Sequence, residues 1–153
     1  MAKESAGILA YREHDGQTEV LLVHPGGPFF ARKDLGAWSI PKGEPEPGED
    51  LLAVAKREFE EETGIKIEGT FKQLTTIKQK GHKVVHAWAV MADIDLAHFK
   101  SNTFSMEWPM GSGKMRDYPE VDKAEWMSVA IAMTKINTRQ ADLVRELVNW
   151  LKG

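Results

Sequence analysis

The chain has 153 residues, with 20 Lys and Arg against 23 Asp and Glu, a formal net charge of −3, and 42% hydrophobic residues. That balance excludes a disordered chain and gives no support for nucleic-acid binding through net charge. There is no cysteine, which excludes disulfides, thiolate catalysis and thiolate metal sites. No apolar run approaches membrane-spanning length, and the opening MAKESAGILAYRE lacks the apolar core of a signal peptide. The expectation is a cytoplasmic protein with a single domain over residues 1–153 and no membrane partner.

In chain order, SAGILAYRE and TEVLLVHP read as two strands joined by the turn HDGQ. GGPFFARKDLG is a loop bounded by Gly and Pro. The prolines of AWSIPKGEPEPGE exclude a helix there, and its glycines point to close backbone approaches. Asp50 opens a helix, DLLAVAKREFEEET, which Gly64 ends. IEGTFKQLTTIKQ and HKVVHAWAVMADI are strand-like. In the second, Val84, His86, Trp88 and Val90 share one face and Val85, Ala87, Ala89 and Met91 the other. Both faces are largely apolar, as in a strand covered on both sides. A long irregular stretch is expected from Ala97 to Pro119, then a last strand, EVDKAEWMSV. A terminal helix carries the stripe Leu143, Val144, Leu147, Val148 and Leu151. Strands around one internal and one terminal helix imply an α/β/α sandwich with a mixed sheet between helices.

The helix end REFEEETG raises a physical problem. Glu58, Glu61 and Glu62 fall on one face by their spacings of three and four, and Glu60 points elsewhere. Like charges at i,i+4 repel, and the helix C-terminus is itself partly negative. Arg57 offsets part of this charge by reaching Glu61. The bland reading is a solvated acidic face. The sharper one is a site for a divalent cation: all-oxygen donors suit Mg²⁺ or Mn²⁺ rather than Zn²⁺.

The upstream context favours the sharper reading. GEPEPGEDLLAVAKREFEEETGI fits G-x5-E-x7-R-E-U-x-E-E-x-G-U, where U is a bulky apolar residue, from Gly43 through Glu49, Arg57, Glu58, Phe59, Glu61, Glu62 and Gly64 to Ile65. This segment resembles the signature of the Nudix hydrolases. The resemblance implies hydrolysis of a nucleoside diphosphate linked to another moiety, with Mg²⁺ or Mn²⁺. By position it implies that Glu58, Glu61 and Glu62 bind metal, with the Gly43 carbonyl as a further ligand. Arg57 would orient the carboxylates and Glu49 would hold the loop to the helix. Glu61 and Glu62 are both candidates for the base. Some members use a carboxylate shortly before a late-strand tryptophan. Glu120 is favoured for that role here, with Asp122 and Glu125 as rivals.

For substrate, Lys42 immediately precedes the signature glycine and can meet phosphate oxygens as a point charge. Arg32 and Lys33 lie in the preceding loop, and Lys78, Lys80, His82 and Lys83 flank a hairpin expected around Gly81. Trp38, Trp88, Trp108 and Phe30 are candidates to stack on a base. Trp38 and Trp88 read as core, and Trp108 as the candidate for a mobile lid. His24, His86 and His98 have no metal-ligand spacing. The stretch from SAGILAYR to WSIPKGEPEPGED also resembles bacterial predicted NTP pyrophosphohydrolases and, through W-x-x-P-K-G, asymmetrical diadenosine tetraphosphate hydrolases. Two family markers are absent. His82 stands where some dinucleoside polyphosphate hydrolases have tyrosine, and Lys80 where ADP-ribose hydrolases have proline. The expected substrate is a dinucleoside polyphosphate or an NTP-type small nucleotide. The alternatives are RNA 5′ ends, or a non-catalytic nucleotide sensor of the same fold.

Overall fold

The computed structural model describes residues 3–79 and 83–153. The elements are β1 (Lys3–His14), β2 (Gln17–Pro25), β3 (Lys42–Gly43), α1 (Leu51–Thr63), β4 (Lys72–Gln73), β5 (Ile77–Gln79), β6 (Lys83–Met91), β7 (Thr103–Glu107), β8 (Met115–Pro119), β9 (Val121–Ser128), α2 (Val129–Lys135) and α3 (Ala141–Lys152). Single 3-10 turns lie at Leu96–His98 and Thr138–Gln140.

A seven-stranded sheet runs β4-β6-β1-β2-β9, with β3 paired to β1 and β5 to β6. The β1–β6 pair is parallel and its other pairings are antiparallel, so the sheet is mixed. Strand periodicity divides the core in two. Ala6, Ile8 and Ala10 of β1 join Trp88 and Val90 of β6 against Val54, Ala55 and Phe59 of α1. The alternate residues Leu9 and Tyr11, with Val85, Ala87 and Ala89, pack on the other face against Leu143, Val144 and Leu147 of α3. This is the expected sandwich, and the two-faced reading of residues 84–91 describes β6 correctly. Trp38 and Trp88 are core residues, as expected.

The ends of α1 follow their sequence signals. The Asp50 carboxylate accepts the Ala53 N–H at 3.0 Å. Gly64 takes a left-handed φ of 76° and donates to the Glu60 carbonyl at 2.7 Å. A side chain at Gly64 would also press on the Lys100 backbone. The last carbonyls are not left bare, because Lys100 donates its backbone N–H to Thr63 and Asn102 donates to Glu61.

Three expectations need correction. Residues 97–119 are not irregular: β7 and β8 pair as a hairpin from Thr103↔Pro119 to Glu107↔Met115. No residue of either strand is buried, so there was no apolar alternation to read. The segment after β9 contains the unexpected helix α2, capped by Ser128, whose hydroxyl accepts the Ile131 N–H. It is only seven residues long, too short to display a helical stripe. The stretch 67–79 is strand only at Lys72–Gln73 and Ile77–Gln79. The hairpin expected around Gly81, with Lys80 and His82, lies outside the described residues.

Candidate active site

β3 brings the signature loop onto the sheet. Ala6 pairs with Gly43 and Gly7 with Lys42. A Cβ at Gly7 would come within 2.6 Å of the Pro41 carbonyl oxygen, so this crossing needs glycine. A Cβ at Gly43 would fall inside the Glu58 carboxylate. The backbone of the loop therefore lies directly against the acidic face of α1. Arg57 closes the loop onto the helix: its guanidinium donates to Glu49 at 2.5 Å, and the second Glu49 oxygen accepts the Glu46 N–H at 2.7 Å. Arg57 also lies 3.7 Å from Glu58 and 3.9 Å from Glu61. The hydrogen bond from Arg57, then that from the Glu46 amide, holds the Glu49 carboxyl below its usual value.

Glu62 is buried, at 8% exposure. One of its oxygens accepts the Lys42 backbone N–H at 3.2 Å. Burial, then the charges of Glu58 and Glu120, push its pKa up to about 8 despite Lys42. The Glu58 carboxyl is raised by burial and by Glu61, with Glu120 adding to the effect. Glu120 is raised by burial and by Glu61. A groove of about 360 Å³ has Glu62, Glu120 and Lys42 in its lining, with an apolar wall that includes Val23, Phe30 and Ala37.

Burial and mutual repulsion thus raise the proton affinity of Glu58, Glu62 and Glu120, with the charge of Glu61 acting on Glu58 and Glu120. Among the described residues, no three such groups already converge closely enough to grip an ion. Their donor set nevertheless fits a hard divalent cation: oxygen ligands only, in mutual repulsion that a cation relieves, beside a glycine backbone brought into contact.

A family model described as NUDIX domain matches residues 1–147. The chain belongs to the Nudix family. It is a pyrophosphohydrolase of that family, and its fold neighbours are Nudix structures as well. The rat bis(5′-nucleosyl)-tetraphosphatase (asymmetrical) is 34% identical over 109 residues, 63% of this chain and 70% of the rat protein. An RNA pyrophosphohydrolase of Erythrobacter litoralis is 44% identical over 62 residues, 37% of this chain and 36% of that protein. A Caenorhabditis elegans Ap4A hydrolase, solved as a binary complex, superposes with TM-score 0.66 at 25% identity, covering 99% of each chain. The Nudix domain of Shewanella oneidensis NrtR, solved with ADP ribose, superposes with TM-score 0.71 at 18% identity, covering 99% of this chain and 89% of that one. At that identity the likeness is one of fold alone.

Within this Nudix domain the structure separates the candidate residues. Glu62, Glu120 and Lys42 share the groove, and Glu58 packs on Gly43. Glu120 sits at the foot of the β7–β8 hairpin, its N–H bonded to the Asn102 carbonyl. It lines the same groove as Glu62. Its rivals are elsewhere. Asp122 is 2.7 Å from Nδ1 of buried His24, and Glu125 is exposed on β9. Nε2 of His24 donates to the Lys33 carbonyl at 2.6 Å, so this histidine ties the β2–β3 loop to β9. Arg32 is exposed on that loop and Trp108 is at the hairpin tip, its ring 5.3 Å from Phe29. Neither lines the groove; Phe30 does. Among the lining residues that escaped the sequence reading are Asn137, which caps the 3-10 turn before α3, and Gln140, which ends it. Gln140 is buried, accepts the Ile40 N–H and donates to the Ser39 hydroxyl. The only signal was a polar cluster, Asn137 to Gln140, ahead of an apolar helix.

Proposed function

We propose that this pyrophosphohydrolase cleaves a phosphoric anhydride within a dinucleoside polyphosphate, with NTP-type nucleotides as the second choice, using Mg²⁺ or Mn²⁺. The observation that carries the reading is the groove itself, where Glu62, Glu120 and Lys42 line one cavity with an apolar wall and Glu62 feels the charge of Glu58, which packs on Gly43. A carboxylate cluster alone repels a polyphosphate, and an apolar wall alone does not cleave one. Together with a cation they suit a nucleotide whose base rests on the wall and whose phosphates reach the acidic side. The match to the rat tetraphosphatase supports the dinucleoside choice. The match to an RNA pyrophosphohydrolase covers barely a third of that protein and supports the RNA reading less.

Glu58, Glu61 and Glu62, with the Gly43 carbonyl, would hold the ion. When bound, it neutralises the anhydride oxygens and makes coordinated water more acidic. The remaining work belongs to the chain. Arg57 and Glu49 hold the loop against α1 and keep the carboxylates aligned. Lys42 offsets phosphate charge at the groove. Glu120 approaches from the β8–β9 junction, outside the helix, and accepts the proton of the attacking water as the new P–O bond forms and the anhydride P–O bond breaks. The leaving phosphate departs as an anion.

The test is a nucleotide panel with product identification: diadenosine polyphosphates, NTPs and dNTPs, ADP-ribose, nucleotide sugars and 5′-triphosphorylated RNA, each with Mg²⁺, Mn²⁺ or chelator. Diadenosine tetraphosphate should give ATP and AMP, with ion and not with chelator. Preferential turnover of ADP-ribose or RNA would overturn the substrate class. Nucleotide binding without any turnover is what a non-catalytic sensor would give.

A further inference from the structure

His24 is the penultimate residue of β2, buried at 2% exposure and outside the carboxylate cluster. Both of its ring nitrogens meet oxygen acceptors. Nδ1 is 2.7 Å from the Asp122 carboxylate, and Nε2 is 2.6 Å from the Lys33 carbonyl. A neutral imidazole has a single N–H and would turn a lone pair on one of these oxygens; the imidazolium donates to both. The proton shared with Asp122 belongs on the ring, because a carboxyl is the stronger acid. Short bonds suit a charged donor.

A backbone irregularity makes the pair possible. His24 is opposite Lys123 on β9 and Pro25 is opposite Val121, so Asp122 is the extra residue of a bulge. In a regular ladder Asp122, next to Lys123, would point to the sheet face opposite His24; the bulge re-aims it. From the other nitrogen the path to the groove is short. Lys33 donates its N–H to the Phe30 carbonyl at 3.0 Å, and its ammonium lies over the Phe30 ring. Phe30 lines the groove. The next residue, Asp34, accepts the Trp38 indole N–H at 2.7 Å and lies 3.3 Å from Lys135 of α2. Its carboxyl is held below its usual value by the Trp38 N–H first, then by Lys135 and by the charge of His24. The charged groups around the ring are thus Asp122 and Lys123 of β9, Asp34 of the loop and, beyond it, Lys135. Glu120 is held independently of His24: its N–H donates to the Asn102 carbonyl, and its own carbonyl accepts the Gly26 N–H at 2.9 Å.

We propose that His24 is a positioning residue for nucleotide binding: bonded at both nitrogens, it fixes the Lys33 turn, and with it Phe30 in the apolar wall. The proposal rests on the carboxylate groove being the hydrolytic centre. Loss of the ring proton to solvent sets a lone pair against an oxygen at one end of the ring, and the repulsion displaces the ring or the loop. Nucleotide affinity then falls, while the cleavage step keeps its carboxylates in place. An asparagine at 122 removes this dependence, because its amide rotates to donate to a bare Nδ1 or to accept from a protonated one.

The test compares wild type, Asp122→Asn and His24→Gln from pH 6 to pH 9. Heteronuclear NMR follows the ring nitrogens and the backbone amides from Phe29 to Ala37, and kinetics give KM and kcat for diadenosine tetraphosphate. In wild type the loop amides should shift with the midpoint of the ring; in Asp122→Asn they should not follow it. The KM of wild type relative to Asp122→Asn should rise at least about fivefold across the ring titration, with relative kcat constant within about threefold. His24→Gln should raise KM about tenfold with little change in kcat; if it does not fold, the Asp122→Asn comparison still decides. Wild-type loop amides that ignore the ring, or a KM ratio that does not change with pH, overturn the proposal. Variants that alter only the melting temperature would make His24 structural and overturn it too. The NMR readout needs no turnover. A loop that follows the ring in a chain that hydrolyses nothing would refute the hydrolytic reading alone, and an active enzyme whose loop ignores the ring would refute only the positioning role.

Discussion

Glu62 concentrates the physics of the site in one side chain. Its carboxyl is buried beside two other carboxylates and is pushed up to about 8. Unfolded, it would release its proton near the ordinary value of 4.5. Between these values the folded state holds the proton and the unfolded state does not. Stability therefore falls as pH rises through this window, and the full penalty stands above about 8. In chelator, the melting temperature of wild type should drop more steeply between pH 6 and pH 9 than that of Glu62→Gln. At pH 9 the variant should be the more stable by a few kcal/mol, on the order of magnitude that such a shift implies. Parallel profiles for the two proteins would show that Glu62 is not held at that cost. The residue scale is also where sequence was most informative. The i, i+3 and i+4 spacings of Glu58, Glu61 and Glu62 follow from helix geometry alone. That Glu62 is buried while Glu60 is exposed depends on the side of α1 that faces the loop, which no spacing states.

At the scale of elements, α1 is positioned by its two ends. Asp50 caps the start, and Gly64 stops the helix where Lys100 and Asn102 supply backbone donors. Asp50→Ala should lower unfolding free energy by about 1 kcal/mol, measured by denaturant titration. An unchanged midpoint would mean that the loop through Glu49 and Arg57 defines the helix start without the cap. Both ends of α1 were legible because capping residues and left-handed glycines act locally. The β7–β8 hairpin was not legible. Phe104 and Tyr118 are cross-strand partners with rings 6.1 Å apart, but no strand face there is buried, so pairing leaves no period in the sequence. Helix α2 was missed for lack of length. Asn137 and Gln140 were missed because they act through fold contacts about a hundred residues away, in the hydrogen bonds from Ile40 N–H to Gln140 and from Asn137 N–H to the Trp38 carbonyl.

At the scale of the molecule, the sandwich serves to bring three separate stretches together: the 42–43 strand, the end of α1, and Glu120 between β8 and β9. The layers were legible from apolar periodicity in β1, β6 and α3, since each buries a face of its own. The meeting of Glu120 with Glu62 was expected from family resemblance rather than from any local pattern, and only the folded chain places them in one groove. The Nudix assignment gives the reaction class; the groove gives the residues to test. The direct measurement is kcat/KM for diadenosine tetraphosphate at saturating Mg²⁺, for wild type, Glu58→Gln and Glu62→Gln, with folding verified by melting. Each variant should lose at least about 100-fold, equivalent to about 2.7 kcal/mol of transition-state stabilisation. Variants that retain activity within about threefold of wild type would contradict the claim that these carboxylates form the hydrolytic centre.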